Sequence, residues 1–370
     1  MIETISKASS IAERLREQIR RDGPITFCEW MKAALYDPDG GYYTRAGRSR
    51  WGREGDYRTS PERSSLFAAT FARYFASLHE SLGSPSEWTI AEAGAGDGAF
   101  AHGVLRTLQT AFPHVFVATR YFIDEISPDA QSQISRRLQP FADRVDFARI
   151  EDAVVDPGLV FSNELLDAFP VHRVTMAEGE LAEFYVNVAG DGKFEWTLGS
   201  TSTPRLADHF EASEINLLNG QIAEVNLEIG EWLSKVSQAL RSGYVVTVDY
   251  GAGAQELYDP ATRLGGTLRG FKNHRFVEDL LADPGDHDLT TTVNWTYVKQ
   301  VGEKLGLKVI EFEQLEKFLL GANLLTQLEV ELQVRENEVE KLLLSTAARD
   351  MILPNSMATH FQVLVQKKSL

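Results

Sequence analysis

The stretch Trp88–Phe100 reads W-T-I-A-E-A-G-A-G-D-G-A-F. An apolar run closes on Glu92, glycine follows at 94, 96 and 98, and a helix-compatible segment begins at Ala99. This predicts a strand, a tight turn and a helix start, the place where open α/β folds hold nucleotide-like ligands. Glycine opens turn conformations closed to other residues and lets a ligand approach the backbone. Glu92 and Asp97 flank the turn, and no Lys or Arg occurs between Glu87 and Arg106. A pyrophosphate would meet two carboxylates there. S-adenosylmethionine (SAM) carries a sulfonium and an ammonium and has no phosphate, so it suits the turn better than NAD. The turn alone leaves three readings open: SAM, a dinucleotide, since Gly94-x-Gly96-x-x-Ala99 satisfies a permissive fingerprint, and a plain structural turn.

Working outward, Arg120–Ser127 (R-Y-F-I-D-E-I-S) is aromatic and β-branched and ends in acid. Ser127-Pro128 then supplies an N-cap followed by Pro at the first helical position. Glu125 (or Asp124) therefore sits at a strand tip, where an acid accepts hydrogen bonds from ribose hydroxyls. That supports a nucleoside without choosing between SAM and NAD.

From Trp88 the pattern alternates: strands at 88–93, 119–125, 144–150 and 158–162, with helices at 99–112 and 128–139. Tyr244–Tyr250 (Y-V-V-T-V-D-Y) is the nearly continuous apolar run of a buried parallel strand. Two late strands follow at 307–312 and 361–365, with a helix at 291–305 before them and a charged amphipathic helix at 329–344. Five parallel strands and two late ones match a class I SAM-methyltransferase (Rossmann-like) seven-stranded sheet, whose last strand runs antiparallel. Before it come two short helices (11–21, 26–36), a Gly-, Arg- and Tyr-rich loop (37–60) and a helix at 61–82. Val171–Met176 and Leu181–Val188 read as two strands of a small β insertion, followed by helices across 204–241. The domain reading is an N-terminal helical segment with a lid loop at 1–83. A methyltransferase domain follows at 84–370, with insertions at about 171–241 and 252–290.

The chain has 370 residues, 43% hydrophobic and 24% charged, with a net charge of −16. That is a globular composition, and its sign argues against a nucleic-acid partner, because phosphate contacts require a basic surface. A basic protein segment is the more natural partner. The single cysteine, Cys28, excludes an internal disulfide. No cysteine or histidine spacing reads as a metal site, and no run is long and apolar enough for a membrane span. A cytoplasmic, reducing setting is expected.

Phe161–Pro170 (F-S-N-E-L-L-D-A-F-P) follows an apolar strand and so lies at the ligand-binding edge of the sheet. Asn163, Glu164 and Asp167 cluster there. Methyltransferases acting on the amino groups of bases often place Asn or Asp, two prolines and an aromatic at this point; Glu164 and the lack of Pro-Pro disfavour a flat base. Two carboxylates instead suit a guanidinium fork. Helix capping by Asn163 with first-turn acids explains the same residues without chemistry.

Five segments together are similar to the MidA family of SAM-dependent methyltransferases. They are G-D-Y-R-T-S-P-E at 55–62, E-A-G-A-G-D-G at 92–98, S-N-E-L-L-D-A-F-P-V-H at 162–172, D-Y-G at 249–251 and G-T-L-R-G-F-K-N-H at 266–274. The resemblance implies a SAM site at Glu92, Gly94, Gly96, Asp97, Gly98 and Glu125, a lid contributing Asp56, Thr59 and Pro61, and a substrate edge at Asn163, Glu164 and Asp167. Its mitochondrial member is a respiratory complex I assembly factor that methylates a protein arginine, which implies protein arginine methylation and a complex I subunit as partner. The chain departs from the family at Thr291-Thr292-Val293-Asn294, where Ala-His-Val-Asp is usual, and at Ala68, where Gly is common. The expected reaction is methyl transfer to an arginine nitrogen, with Glu164 and Asp167 binding the cation and taking a proton, and His274 a second candidate base. A nicotinamide oxidoreductase and a SAM-binding assembly protein without turnover are the alternatives.

Overall fold

The computed structural model describes residues 10–47, 65–353 and 360–369. The chain divides into two units, one of Ser49–Asp167, Ile229–Ala252 and Val293–Leu370, the other of Met1–Arg48, Ala168–Glu228 and Gly253–Thr292.

The first unit is built on a sheet with seven main strands: β1 (Trp88–Ala93), β2 (Thr119–Asp124), β3 (Val145–Phe147), β4 (Gly158–Asn163), β5 (Gly243–Ala252), β6 (Lys308–Gln314) and β7 (Phe361–Lys368). Their order is β6-β7-β5-β4-β1-β2-β3, with the two-residue strand Val293–Asn294 beside β5. β1 to β5 pair in parallel, and β7 runs antiparallel between β5 and β6. This is the class I SAM-methyltransferase sheet. The chain reverses direction across the sheet between β1 and β4, so the carboxyl ends of those strands form the topological switch point where ligands bind.

Aromatic packing fixes this edge in place. Phe67, Phe71 and Phe75 recur at helical spacing along the helix Ser65–Ser81 and are fully buried. They meet Phe100, which stacks on Phe161 of β4 with centroids 4.2 Å apart and planes at 7°. Phe100 lies two residues after the glycine turn, so the core reaches directly under it. The helix Ser65–Ser81 crosses Ala99–Ala111 closely: a Cβ on Gly103 would lie 2.5 Å from the Ala68 methyl. Ala68 is thus accommodated by the glycine facing it.

The second unit holds the helices Ile11–Asp22 and Phe27–Tyr36, each opened by a capping box, Ser10 with Glu13 and Thr26 with Glu29. It also holds a five-stranded antiparallel sheet and a three-stranded one. The expected β insertion is larger than two strands: Phe194–Ser200 and Ile222–Val225 join it. Phe194–Ser200 is half-exposed along its length and Ile222–Val225 is only four residues, so neither gives a clear hydrophobic period. The stretch 252–290, read from the sequence only as an insertion, contributes the short strands Arg269–Lys272, Arg275–Phe276 and Asp288–Thr290. In the first unit the expected helix 329–344 is two, Leu324–Gln333 and Glu338–Ile352, the second capped by Asn337. Among the described residues no helix is long and apolar enough to cross a membrane.

Candidate active site

At the end of β1 the backbone turns through Gly94, Gly96 and Gly98 with φ of +71°, +58° and +77°. All three lie in the left-handed region that costs other residues energy. Their amides are already spent. Gly94 donates to the Asp124 carbonyl (2.8 Å), Gly96 to Glu125 Oε2 (3.0 Å) and Gly98 to the Ala95 carbonyl (3.0 Å). Asp97 Oδ1 accepts from the Ala99 amide at 2.9 Å. A pyrophosphate bound at such a turn needs free N–H groups and an open helix N-terminus. The three glycine amides and that of Ala99 are not free for it.

The acids around the turn divide their work. Glu92 is buried, and its Oε2 accepts the Tyr121 hydroxyl at 2.7 Å. Burial, with Glu125 and Asp97 nearby, pushes it up to about 8, while the Tyr121 bond pulls the other way. Asp97 pairs with Arg137 at 2.7 Å, so a cation from the helix Pro128–Arg137 reaches the turn that the local sequence leaves acidic. At the tip of β2, Asp124 is engaged by Arg149 (2.8 Å) and the Ile150 amide (2.9 Å). Glu125 is the acid that faces the glycine turn, its Oε1 accepting from the Ser127 amide at 2.8 Å. Burial raises its pKa, and the N–H bonds to it oppose that.

The end of β4 carries the second cluster. Glu164 takes φ +51°, a left-handed conformation rare for a side chain of its size, and its amide donates to the Val248 carbonyl at 2.9 Å. Asn163 Nδ2 donates to Glu164 Oε1 at 3.2 Å, while the buried Asn163 Oδ1 has no hydrogen-bond partner. Leu165 packs against the glycine turn: a Cβ on Gly94 would lie 3.0 Å from Leu165 Cδ1. The segment Asn163–Asp167 is thus in van der Waals contact with the turn.

One residue that sequence reasoning missed joins this cluster. Asp249, wholly buried near the end of β5, accepts from the Leu165 (3.2 Å) and Leu166 (2.9 Å) amides through Oδ2 and from Tyr250 (2.9 Å) through Oδ1. Burial beside Asp167 and Glu164 holds it well above the usual carboxylate range. The signal was present in D-Y-G at 249–251, an acid ending a run of buried apolar residues. The glycine of that motif has its own reason: a Cβ on Gly251 would fall 2.3 Å from the Trp295 indole nitrogen, which donates to Gln362 Oε1 at 2.7 Å. No group of three or more His, Cys, Asp or Glu among the described residues could hold a metal ion.

Asp56, Thr59 and Pro61 lie outside the described residues. His274 belongs to the other unit, at an exposed hairpin turn where it and Asn273 both take positive φ. Of the residues departing from the family pattern, Asn294 caps the helix Trp295–Lys304, its side chain accepting from the Tyr297 amide at 3.1 Å. Asp would serve equally there.

Residues 70–313 match the model of the family described as "Putative S-adenosyl-L-methionine-dependent methyltransferase". The chain belongs to this family. Its cofactor is SAM, and the nicotinamide reading of the glycine turn falls. A COG1565 superfamily crystal structure from Burkholderia thailandensis, bound to S-adenosyl-homocysteine (SAH), is similar over 97% of this chain and 92% of that one, with a TM-score of 0.86 and 27% identity. Among curated proteins, the Drosophila melanogaster protein arginine methyltransferase NDUFAF7 homolog, mitochondrial, is 29% identical over 82% of this chain and 73% of its own. The Danio rerio protein arginine methyltransferase NDUFAF7, mitochondrial, is 25% identical over 95% and 86%. The site fits SAM on its own chemistry. The glycine amides are engaged within the protein, the buried Asn163 Oδ1 awaits a donor, and Glu125 retains lone pairs for hydroxyls.

Proposed function

We propose that this family member methylates a nitrogen of an arginine guanidine on a protein substrate. The observation that carries the reading is the packing of Leu165 on Gly94, which sets the acids at the end of β4 beside the cofactor turn. When bound, SAM supplies a methyl group on a positively charged sulfur, ready for displacement by the acceptor nitrogen. The chain's own residues do the rest. Gly94, Gly96, Gly98, Glu125 and Asn163 bind and orient the donor. Glu92 and Asp97 support the turn, one against Tyr121 and the other through the Ala99 amide and Arg137. Asp56, Thr59 and Pro61 join the donor site on the family resemblance alone.

Glu164 and Asp167 hold the guanidinium, whose planar fork matches carboxylates and which is charged at neutral pH. They aim one nitrogen along the line of displacement, where most of the acceleration of such a reaction arises. One of them takes the proton that the nitrogen sheds as its bond to carbon forms. No step is assigned to His274. The reading is supported by the arginine methyltransferases among the relatives. As partner we propose a basic segment of a protein, with a respiratory complex I subunit the candidate that the family resemblance supplies. A cytoplasmic, reducing compartment suits a chain whose one thiol is buried.

The test is radiolabelled SAM with a lysate of the host cell, comparing wild type with Glu164→Gln and Asp167→Asn. The expected result is a labelled protein band with wild type, lost with either variant, while SAH affinity is kept. No band with wild type, at full SAH affinity, would favour a binding protein without turnover.

A further inference from the structure

We propose that Asp249 is the positioning residue of the acceptor site: its carboxylate, through the backbone amides of Leu165 and Leu166, sets the left-handed turn at Glu164 and so aims Glu164 and Asp167. The inference rests on the reading above that the end of β4 receives the methyl acceptor.

Glu164 at φ +51° needs an external hold, because a non-glycine residue in this region is strained. Two holds are present. The Glu164 amide donates to the Val248 carbonyl, an ordinary parallel-sheet extension, and would do so with any residue at 249. The next two amides leave the sheet pattern and converge on one oxygen, Asp249 Oδ2. The other oxygen is bound by the Asp249-Tyr250 backbone itself. One wholly buried side chain thereby ties the segment after β4 to the end of β5, and both of its oxygens accept from N–H groups. An amide side chain cannot do this, since one of its two ends is a donor and would face an N–H.

The placement is costly, which argues for a purpose beyond packing. Asp249 faces Asp167 and Glu164 from the segment after β4, and its cross-strand partner on β7, Gln362, is neutral. Burial beside those two acids raises the titration of Asp249, a repulsion that an apolar residue at this position would not carry. A guanidinium arriving at Glu164 and Asp167 would relieve it.

Hydrogen exchange by mass spectrometry, with SAH present, compares wild type with Asp249→Asn. In wild type the Leu165 and Leu166 amides are expected to exchange about 100-fold or more slower than in unstructured chain. In the variant their protection should fall by at least about tenfold, while 92–98 stays protected and SAH affinity is unchanged. Transfer to the band labelled by wild type should drop by about 100-fold, the effect of a small misplacement of reacting groups. Its pH profile should lose the acid limb set by the raised titration of Asp249. Unprotected Leu165 and Leu166 amides in the wild type would overturn the proposal even if the variant fails to fold. So would a variant with wild-type exchange and transfer. A wild type with protected amides and no transfer would sink the proposed function instead.

Discussion

Leu165 fills the space that a side chain on Gly94 would need, its Cδ1 3.0 Å from where the Cβ would lie. The glycine at the first turn position is therefore required twice, by its φ of +71° and by this neighbour. Through this contact the donor turn at the end of β1 and the acid segment at the end of β4 are one packed surface.

Gly94→Ala should destabilise the protein by about 1–3 kcal/mol, from left-handed strain and the push on Leu165. Adding Leu165→Ala should return less than the whole loss, because it relieves the contact and leaves the strain. Thermal unfolding of the two single variants and the double variant measures the coupling. Strict additivity of the two losses would show that the residues do not interact.

Gly96→Val places a β-branched residue at φ +58°, where its amide must still reach Glu125 Oε2. SAH affinity by calorimetry should fall at least about tenfold, matching roughly 1–3 kcal/mol of backbone strain. An unchanged affinity would put the cofactor elsewhere.

Glu92 gives a pH signature. Its folded-state titration, raised to about 8 by burial, lies above that of the unfolded chain. Between those two pH values the folded protein keeps a proton that the unfolded chain releases. Glu92 therefore lowers stability progressively as pH rises through the window. Glu92→Gln keeps an acceptor for Tyr121 and removes the proton. Its melting temperature should exceed that of wild type near about pH 8.5, with the gap closing toward about pH 5. A gap independent of pH would contradict the assignment.

Asn294→Ala should cost about 1 kcal/mol in thermal or denaturant unfolding, the usual loss of an N-cap, and Asn294→Asp should be close to neutral. A large loss of transfer with Asn294→Asp would show that this position does more than cap a helix.

The sheet was legible because its central strands are buried on both faces and read as nearly continuous apolar runs, Tyr244–Tyr250 most plainly. The glycine turn announced itself by spacing. Its electrostatics did not: Arg137 lies forty positions beyond Asp97, at the end of the helix Pro128–Arg137, and only the packed structure brings the two together. Likewise the choice between Asp124 and Glu125 depends on Arg149 and Ile150 drawing Asp124 away. D-Y-G showed Asp249 as an acid closing an apolar run but not what it holds, because its partners are backbone amides, which leave no trace in residue identity. The short strands of the second unit, Arg269–Lys272 and Ile222–Val225 among them, are too brief to show a period.

The most direct test of the account is amino-acid analysis of the protein band labelled from methyl-tritiated SAM in host lysate. The label is predicted to emerge as methylated arginine, with wild-type protein and not with Glu164→Gln. Label recovered on another residue type, or none in a preparation that binds SAH, would contradict it.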